Sequence, residues 1–82
     1  MTIAAEVLKR FADIMSVDAD TVDLDAPLAD EYGVDSLNAL RLVSELEVAL
    51  DADIPEEELT GIRTLNDVIR LCKKHTKNAQ EP

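Results

Sequence analysis

Residues 36–50 repeat apolar side chains at intervals of three and four residues, which is the spacing of one face of an α-helix. Leu42, Leu46 and Leu50 lie along that face, while most polar side chains of SLNALRLVSELEVAL lie off it. The segment therefore predicts an amphipathic central helix. Leu46 stands in the middle of the apolar stripe, and we expect it to be buried against the first and last helices.

Three further segments are predicted to be helical. Residues 3–15 have the same periodicity and follow Thr2, which is suited to cap a helix. Pro55 favours the start of a short third helix in EEELTG. Thr64 is the expected cap of the last helix, and Asp67 stands where a capping box would place an acidic residue.

The segment between the first two helices, residues 16–34, lacks helical periodicity and contains Pro27. A connection of this length in a compact domain is usually functional or is held down by its own apolar side chains. We expect Val22 and Leu28 to hold it against the core.

Composition favours an all-α fold with an aliphatic core. The chain has one Tyr, one Phe and no Trp, and its two Gly and three Pro provide few turns for strands. We predict a small four-helix bundle of three longer helices and one short helix, with a long loop between helices one and two. Residues 1–82 would form a single domain, with a helical core at about 3–75 and a polar C-terminal tail at 76–82.

The charge of the chain limits its partners. Its 18 acidic and 8 basic residues give a net charge of −10, and the segment from Asp13 to Glu58 contains only one base, Arg41. This distribution opposes binding to nucleic acid and to anionic membranes, and it favours partners with basic surfaces. The single Cys excludes an internal disulfide, and no apolar run approaches the length of a membrane span. We expect a monomer in the cytoplasm.

Ser36 is the candidate site residue. Asp35 suits the N-cap of the central helix, so Ser36 becomes the first helical residue and its hydroxyl stays exposed at the positive end of the helix. The sequence offers no general base, such as a second histidine, to activate this hydroxyl. We therefore predict that the chain is not an enzyme.

For the other reactive side chains we predict either a structural position in the core or a solvated position at the surface. Cys72 falls on the apolar face of the last helix and is predicted to be buried. His75 lies in the basic C-terminal segment, and we expect its side chain to be solvated. No His or Cys partner stands at metal-ligand spacing, so we predict no metal site.

The residues around Ser36 resemble the acyl carrier protein family. YGVDSL at 32–37 is similar to the LG(A/V)DSL motif of these proteins, and the similarity continues through LRLVSELEVAL, ADIPEEEL and IRTLNDVI, over about residues 3–75. The resemblance implies a discrete, type II carrier. A phosphopantetheinyl transferase would attach 4'-phosphopantetheine from coenzyme A to Ser36, and Asp35 would help to present Ser36 to the transferase. Acyl groups would then travel as thioesters on this arm.

The resemblance also implies a partner surface on the central helix. Its partners would be acyltransferases, ketosynthases or acyl-activating enzymes with basic docking patches. The residues expected on this surface are Leu37, Leu40, Arg41, Glu45 and Glu47.

Several positions depart from the family pattern. Primary fatty-acid carriers usually have acids where this chain has Asn38 and Arg41, a larger apolar residue in place of Ser44, and leucine in place of Tyr32. These differences leave room for a specialised carrier of polyketide or other secondary metabolism. Arg41 is expected either to contact Glu45 one turn along the helix or to exclude fatty-acid enzymes whose docking patches are basic.

Two alternatives stay open. Aminoacyl or peptidyl carriers of nonribosomal peptide synthesis more often read GGHSL or GGDSI, so Val34 and Asp35 favour an acyl cargo. An acidic helical module that binds a basic partner without being modified would need Ser36 only as a residue that begins a helix.

Overall fold

The computed structural model describes residues 2–76, and these residues fold into four α-helices and two 3₁₀ segments. The predicted all-α bundle is confirmed, and the first and central helices have the predicted bounds. The predicted polar tail lies outside the described residues from position 77 onward. No helix within the described part is long and apolar enough to cross a membrane. The elements are α1 (Ile3–Met15), the first 3₁₀ segment (Ala19–Thr21), α2 (Leu28–Tyr32), α3 (Ser36–Leu50), the second 3₁₀ segment (Glu56–Gly61) and α4 (Leu65–His75).

The core lies where the apolar faces of α1, α3 and α4 meet. Leu46 is fully buried there, as the periodicity of α3 predicted. Cys72 of α4 is also buried, and desolvation raises the pKa of its thiol to about 11, which keeps it protonated at neutral pH. The other buried residues of this core are Ile3, Val7, Phe11, Leu28, Leu42, Val43, Ala52, Ile54, Leu65, Val68 and Ile69.

The connection between α1 and α3 is held by its own apolar side chains, as predicted. Leu28 is buried and Val22 is half-buried against the core. The sequence did not predict α2, because a helix of five residues is too short to show an apolar period. Its last residue, Tyr32, packs edge-on against Phe11 with the ring centroids 5.3 Å apart, and the Tyr32 hydroxyl accepts a hydrogen bond from the N–H of Asp23 at 2.8 Å.

The second 3₁₀ segment is tied to the end of α4 through Glu58. The Glu58 carboxylate accepts a hydrogen bond from Lys74 Nζ at 3.1 Å and lies 2.5 Å from His75 Nε2. The bond from Lys74 lowers the pKa of Glu58. The side chain of His75 is only 19% exposed, so the expectation that it would be solvated is wrong. Its partner comes from a distant part of the sequence, which a local pattern does not show.

Thr64 and Asp67 form the capping box predicted at the start of α4. The Thr64 hydroxyl accepts a hydrogen bond from the N–H of Asp67 at 3.2 Å. The Asp67 carboxylate in turn accepts from the N–H groups of Arg63 and Thr64 at 2.9 and 3.1 Å. These bonds lower the pKa of Asp67 below its ordinary value of 3.8, and the bond from the N–H of Arg63 has the largest effect.

Asp67→Ala is expected to destabilise the protein by about 1 kcal/mol at neutral pH, because α4 loses its capping contacts. Folding lowers the pKa of Asp67, so its carboxylate stabilises the fold above the ordinary pKa of 3.8 and loses that effect as the pH falls through the folded-state pKa. Urea unfolding should show a difference from the wild type that is large at about pH 7 and shrinks at about pH 3. Asp20→Ala removes an exposed acid from the first 3₁₀ segment and serves as control. An equal cost in both variants would contradict the capping role.

Candidate functional site

Ser36 is the first residue of α3, and it is exposed to solvent. Two local features place it there. Gly33 ends α2 in the left-handed conformation, with a φ of 66°, which favours glycine and turns the chain toward α3. Asp35 then caps α3, because its carboxylate accepts a hydrogen bond from the N–H of Asn38 at 2.8 Å.

The first turn of α3 places hydrogen-bond donors beside the Ser36 hydroxyl. Asp35 uses its carboxylate and its carbonyl for the N–H groups of Asn38 and Ala39. The N–H groups of Ser36 and Leu37 precede the first intrahelical bond and have no acceptor within the helix. These donors and the helix dipole favour a negative charge beside Ser36. The site is therefore suited to a phosphate attached to the Ser36 oxygen.

A groove runs from Ser36 between α3 and the second 3₁₀ segment. Its apolar lining includes Ala39 and Val43 from α3 and, from the other side, Leu59 and Ile62. The two sides of this groove come from segments that are distant in the sequence and meet only in the fold. The polar side chains that line it belong to Asp30, Asp35, Ser36, Glu56, Thr60, Arg63 and Thr64.

The exposed face of α3 carries apolar side chains. Leu37 and Leu40, which the sequence predicted on a partner surface, are 74% and 53% exposed. Val48 is 85% exposed on the same side of the helix. Val48 was not predicted to belong to the partner surface. It lies eleven positions, about three turns, after Leu37, and this spacing places the two residues on one face.

Arg41 and Glu45 make the expected contact one turn apart, with Arg41 Nε 3.1 Å from Glu45 Oε2. The same Glu45 side chain lies 3.7 Å from Arg10 Nη1 of α1. Arg10 also bonds to the buried Glu6 at 2.6 Å, and this bond raises the pKa of Arg10. Glu45 is therefore shared between two guanidinium groups and links α3 to α1.

Glu47 has a structural contact that the sequence did not indicate. Its Oε2 accepts a hydrogen bond from the N–H of Ile54 at 3.0 Å, across the turn that follows α3. The place of Glu47 on the partner surface stays a prediction, and this bond engages one of its two carboxylate oxygens. Of the residues expected on the partner surface, Leu37, Leu40 and Arg41 are exposed, whereas the two glutamates are half-buried.

Comparisons with known proteins identify the family of the chain. The family model for the phosphopantetheine attachment site matches residues 5–72. The chain is 35% identical to the acyl carrier protein of Clostridium perfringens over 66 residues, which are 80% of this chain and 87% of the relative. It is 33% identical to the acyl carrier protein of Syntrophobacter fumaroxidans over 78 residues, 92% of this chain and 96% of the relative.

The fold agrees with a solved structure as well. The acyl carrier protein from Enterococcus faecalis superposes with a TM-score of 0.67 at 28% sequence identity, and the match covers 90% of this chain and 98% of that one. The sequence relatives, the family model and the solved structure thus all indicate the same protein family. The chain belongs to the acyl carrier protein family, whose cofactor is a covalently attached 4'-phosphopantetheine.

Proposed function

We propose that Ser36 carries the 4'-phosphopantetheine arm and that the protein delivers acyl groups, bound to this arm as thioesters, to biosynthetic enzymes. The observation that carries the proposal is the exposed Ser36 hydroxyl at the first position of α3, beside N–H groups that have no acceptor within the helix. A phosphodiester at this position would be stabilised by those donors and by the helix dipole.

Asp35 supports the attachment by holding Ser36 in place. Its bond to the N–H of Asn38 fixes the start of α3, so the Ser36 hydroxyl is presented to the transferase on a rigid turn. The transferase then joins the Ser36 oxygen to the phosphorus of the phosphopantetheine, and the pyrophosphate bond of coenzyme A breaks. The nucleotide half leaves, and the hydroxyl proton passes to a base of the transferase. In this function the chain is a carrier, and its partner enzymes supply the chemistry.

The groove beside Ser36 fits a flexible arm and an acyl chain. Ala39, Val43, Leu59 and Ile62 offer an apolar surface that begins at the attachment residue. Contact with this surface removes apolar atoms of the cargo from water, which favours a bound chain over a solvated one. The arm also keeps the thioester at a high effective concentration near each enzyme that docks on the carrier.

Intact-mass spectrometry tests the function. After incubation with coenzyme A and a broad-specificity phosphopantetheinyl transferase, the protein should gain one phosphopantetheine unit, and fragmentation should place the unit on Ser36. The new thiol should then accept an acyl group from an acyl-activating enzyme. A protein that gains nothing, while the transferase modifies a known carrier in the same mixture, would favour the unmodified interaction module.

The pathway is proposed from the residues that depart from primary fatty-acid carriers. Asn38, Arg41 and Ser44 leave the start and middle of α3 without acids. An enzyme with a basic docking patch finds few charge partners on this part of the helix. We therefore assign the carrier to polyketide-type or other specialised acyl biosynthesis.

Arg41→Glu is expected to improve turnover of the loaded carrier with a fatty-acid ketosynthase. The substitution replaces a cation with an anion on the face that a basic patch would meet, so association should become faster at low salt and the gain should fade as salt rises. The comparison is kcat/KM for the two loaded carriers at several ionic strengths. Arg41→Gln, which removes the cation without adding an anion, should give a smaller gain. No improvement at low salt would remove Arg41 as a discriminator between pathways.

A further inference from the structure

Three exposed apolar side chains lie in one line on α3. Leu37, Leu40 and Val48, together with Arg41, point away from the buried face that contains Leu46, and we call these four residues the outer stripe. From Leu37 to Val48 the stripe is about 16 Å long at the rise of an α-helix. Exposed apolar residues that occur singly need no explanation, but three on one helix face, here with the exposed Ser44 between Leu40 and Val48, indicate an interaction site.

The outer stripe is not acidic, although the protein carries a net charge of −10. The two acids beside it are engaged within the chain: Glu45 with Arg41 and Arg10, and Glu47 with the N–H of Ile54. Within the pair of Arg41 and Glu45 the guanidinium is the more exposed group, because the Arg41 side chain is 62% exposed and that of Glu45 is 33% exposed.

Arg41 retains hydrogen-bonding capacity toward solvent. Its contact with Glu45 uses Nε, and no residue of the described part of the chain lies within hydrogen-bond distance of the two terminal nitrogens as an acceptor. A guanidinium presents these nitrogens as a planar fork that matches a carboxylate. A partner that covers the outer stripe would bury this fork, which would be costly without an acceptor opposite it.

From these contacts we infer that the partner enzymes of this carrier cover the outer stripe with an apolar patch that bears an acidic side chain opposite Arg41, and not with a basic patch. The inference rests on the proposed function, because the arm on Ser36 brings partners to this end of α3. It replaces the expectation that acids of the central helix form the docking charges. A second copy of the chain is disfavoured as occupant, because two molecules of charge −10 repel each other.

The test uses the phosphopantetheinyl transferase that modifies this carrier in its own cells, with the full chain as substrate. Leu40→Ser and Val48→Ser are each expected to raise KM roughly fivefold with little change in kcat, because each removes an apolar contact made on docking. Ala49→Ser, an exposed neighbour of Val48 outside the outer stripe, should leave KM unchanged. Both apolar positions are exposed, so the variants should melt with the parent.

Arg41→Glu tests whether the partner surface opposite Arg41 is acidic or basic. With this transferase it should lower kcat/KM roughly fivefold at low salt, and added salt should restore part of the loss, because an anion would face the partner's acidic side chain. Arg41→Gln should lose less. An increase in kcat/KM for Arg41→Glu would show a basic partner surface and would overturn the inference.

Two further outcomes would overturn it. Unchanged KM in Leu40→Ser and Val48→Ser would show that the transferase docks elsewhere. Sedimentation that reveals a dimer of the parent, lost in Val48→Ser, would assign the stripe to a second copy of the chain. The mass gained after prolonged incubation tests the proposed function independently of the docking surface. If the parent is modified on Ser36, that function is supported whatever the KM values show. If the parent is never modified, that function is ruled out.

Discussion

Ser36→Ala is expected to gain no phosphopantetheine at any incubation time. The substitution removes the hydroxyl oxygen to which the transferase would join the arm. Loading should therefore fall from complete to undetectable, which is the largest change expected for any variant of this protein. Intact mass measures it directly, with the parent protein run beside it.

The other two serines of the chain provide the controls. Ser16→Ala and Ser44→Ala should each still gain one unit at the end of the reaction, since Ser16 follows α1 and Ser44 lies two turns along α3. Ser36 is exposed, so Ser36→Ala should change stability by no more than about 0.5 kcal/mol. A unit found on Ser36→Ala would show that the arm is attached elsewhere, and a melt far below that of the parent would point to misfolding as the cause of any loss.

The parts of the fold that the sequence predicted are those governed by local interactions. The bounds of α1 and α3 follow from an apolar period of 3.6 and from caps a few residues away, such as Thr2 and Asp35. The capping box of Thr64 and Asp67 is local in the same way. Ser36 could be singled out for this reason, because its exposure depends on the neighbouring cap and on the helix that follows.

The parts that were missed depend on residues far apart in the sequence. His75 meets Glu58 because the second 3₁₀ segment returns to the end of α4. The residues that line the groove come from both α3 and the second 3₁₀ segment, and the periodicity of neither segment shows which residues these are. α2 is short, and its position depends on Leu28 entering the core.

Composition gave the net charge of the protein but not the distribution of that charge over its surface. The count of acids favoured partners with basic surfaces, and the family resemblance placed Glu45 and Glu47 on the docking surface. Both glutamates have partners within the chain. Arg10 of α1 and the backbone of Ile54 supply these partners, and neither is adjacent to them in sequence. A net charge therefore describes the whole surface and does not identify the face on which a partner docks.

Leu46→Ala is expected to destabilise the protein by about 2–5 kcal/mol, because Leu46 is fully buried where α1, α3 and α4 meet. The lost isopropyl group leaves a cavity that a close-packed interior refills only in part. Small domains have a free energy of unfolding near the lower end of about 5–15 kcal/mol, so this loss removes a large share of the total. The melting temperature should fall by at least about 8 °C.

Leu37→Ala is the matched control, since it makes the same substitution on the same helix at a side chain that is 74% exposed. Because Leu37 contributes little to the core, its variant should melt within a few degrees of the parent. The difference between the two variants isolates the effect of burial from that of helix propensity, which the two substitutions change alike. Thermal melts followed by circular dichroism give both values. If Leu46→Ala melted at the same temperature as Leu37→Ala, the apolar face of α3 would not be the face that packs against α1 and α4. The exposure of the Ser36 hydroxyl and of the outer stripe, which depends on this orientation of α3, would then be wrong as well.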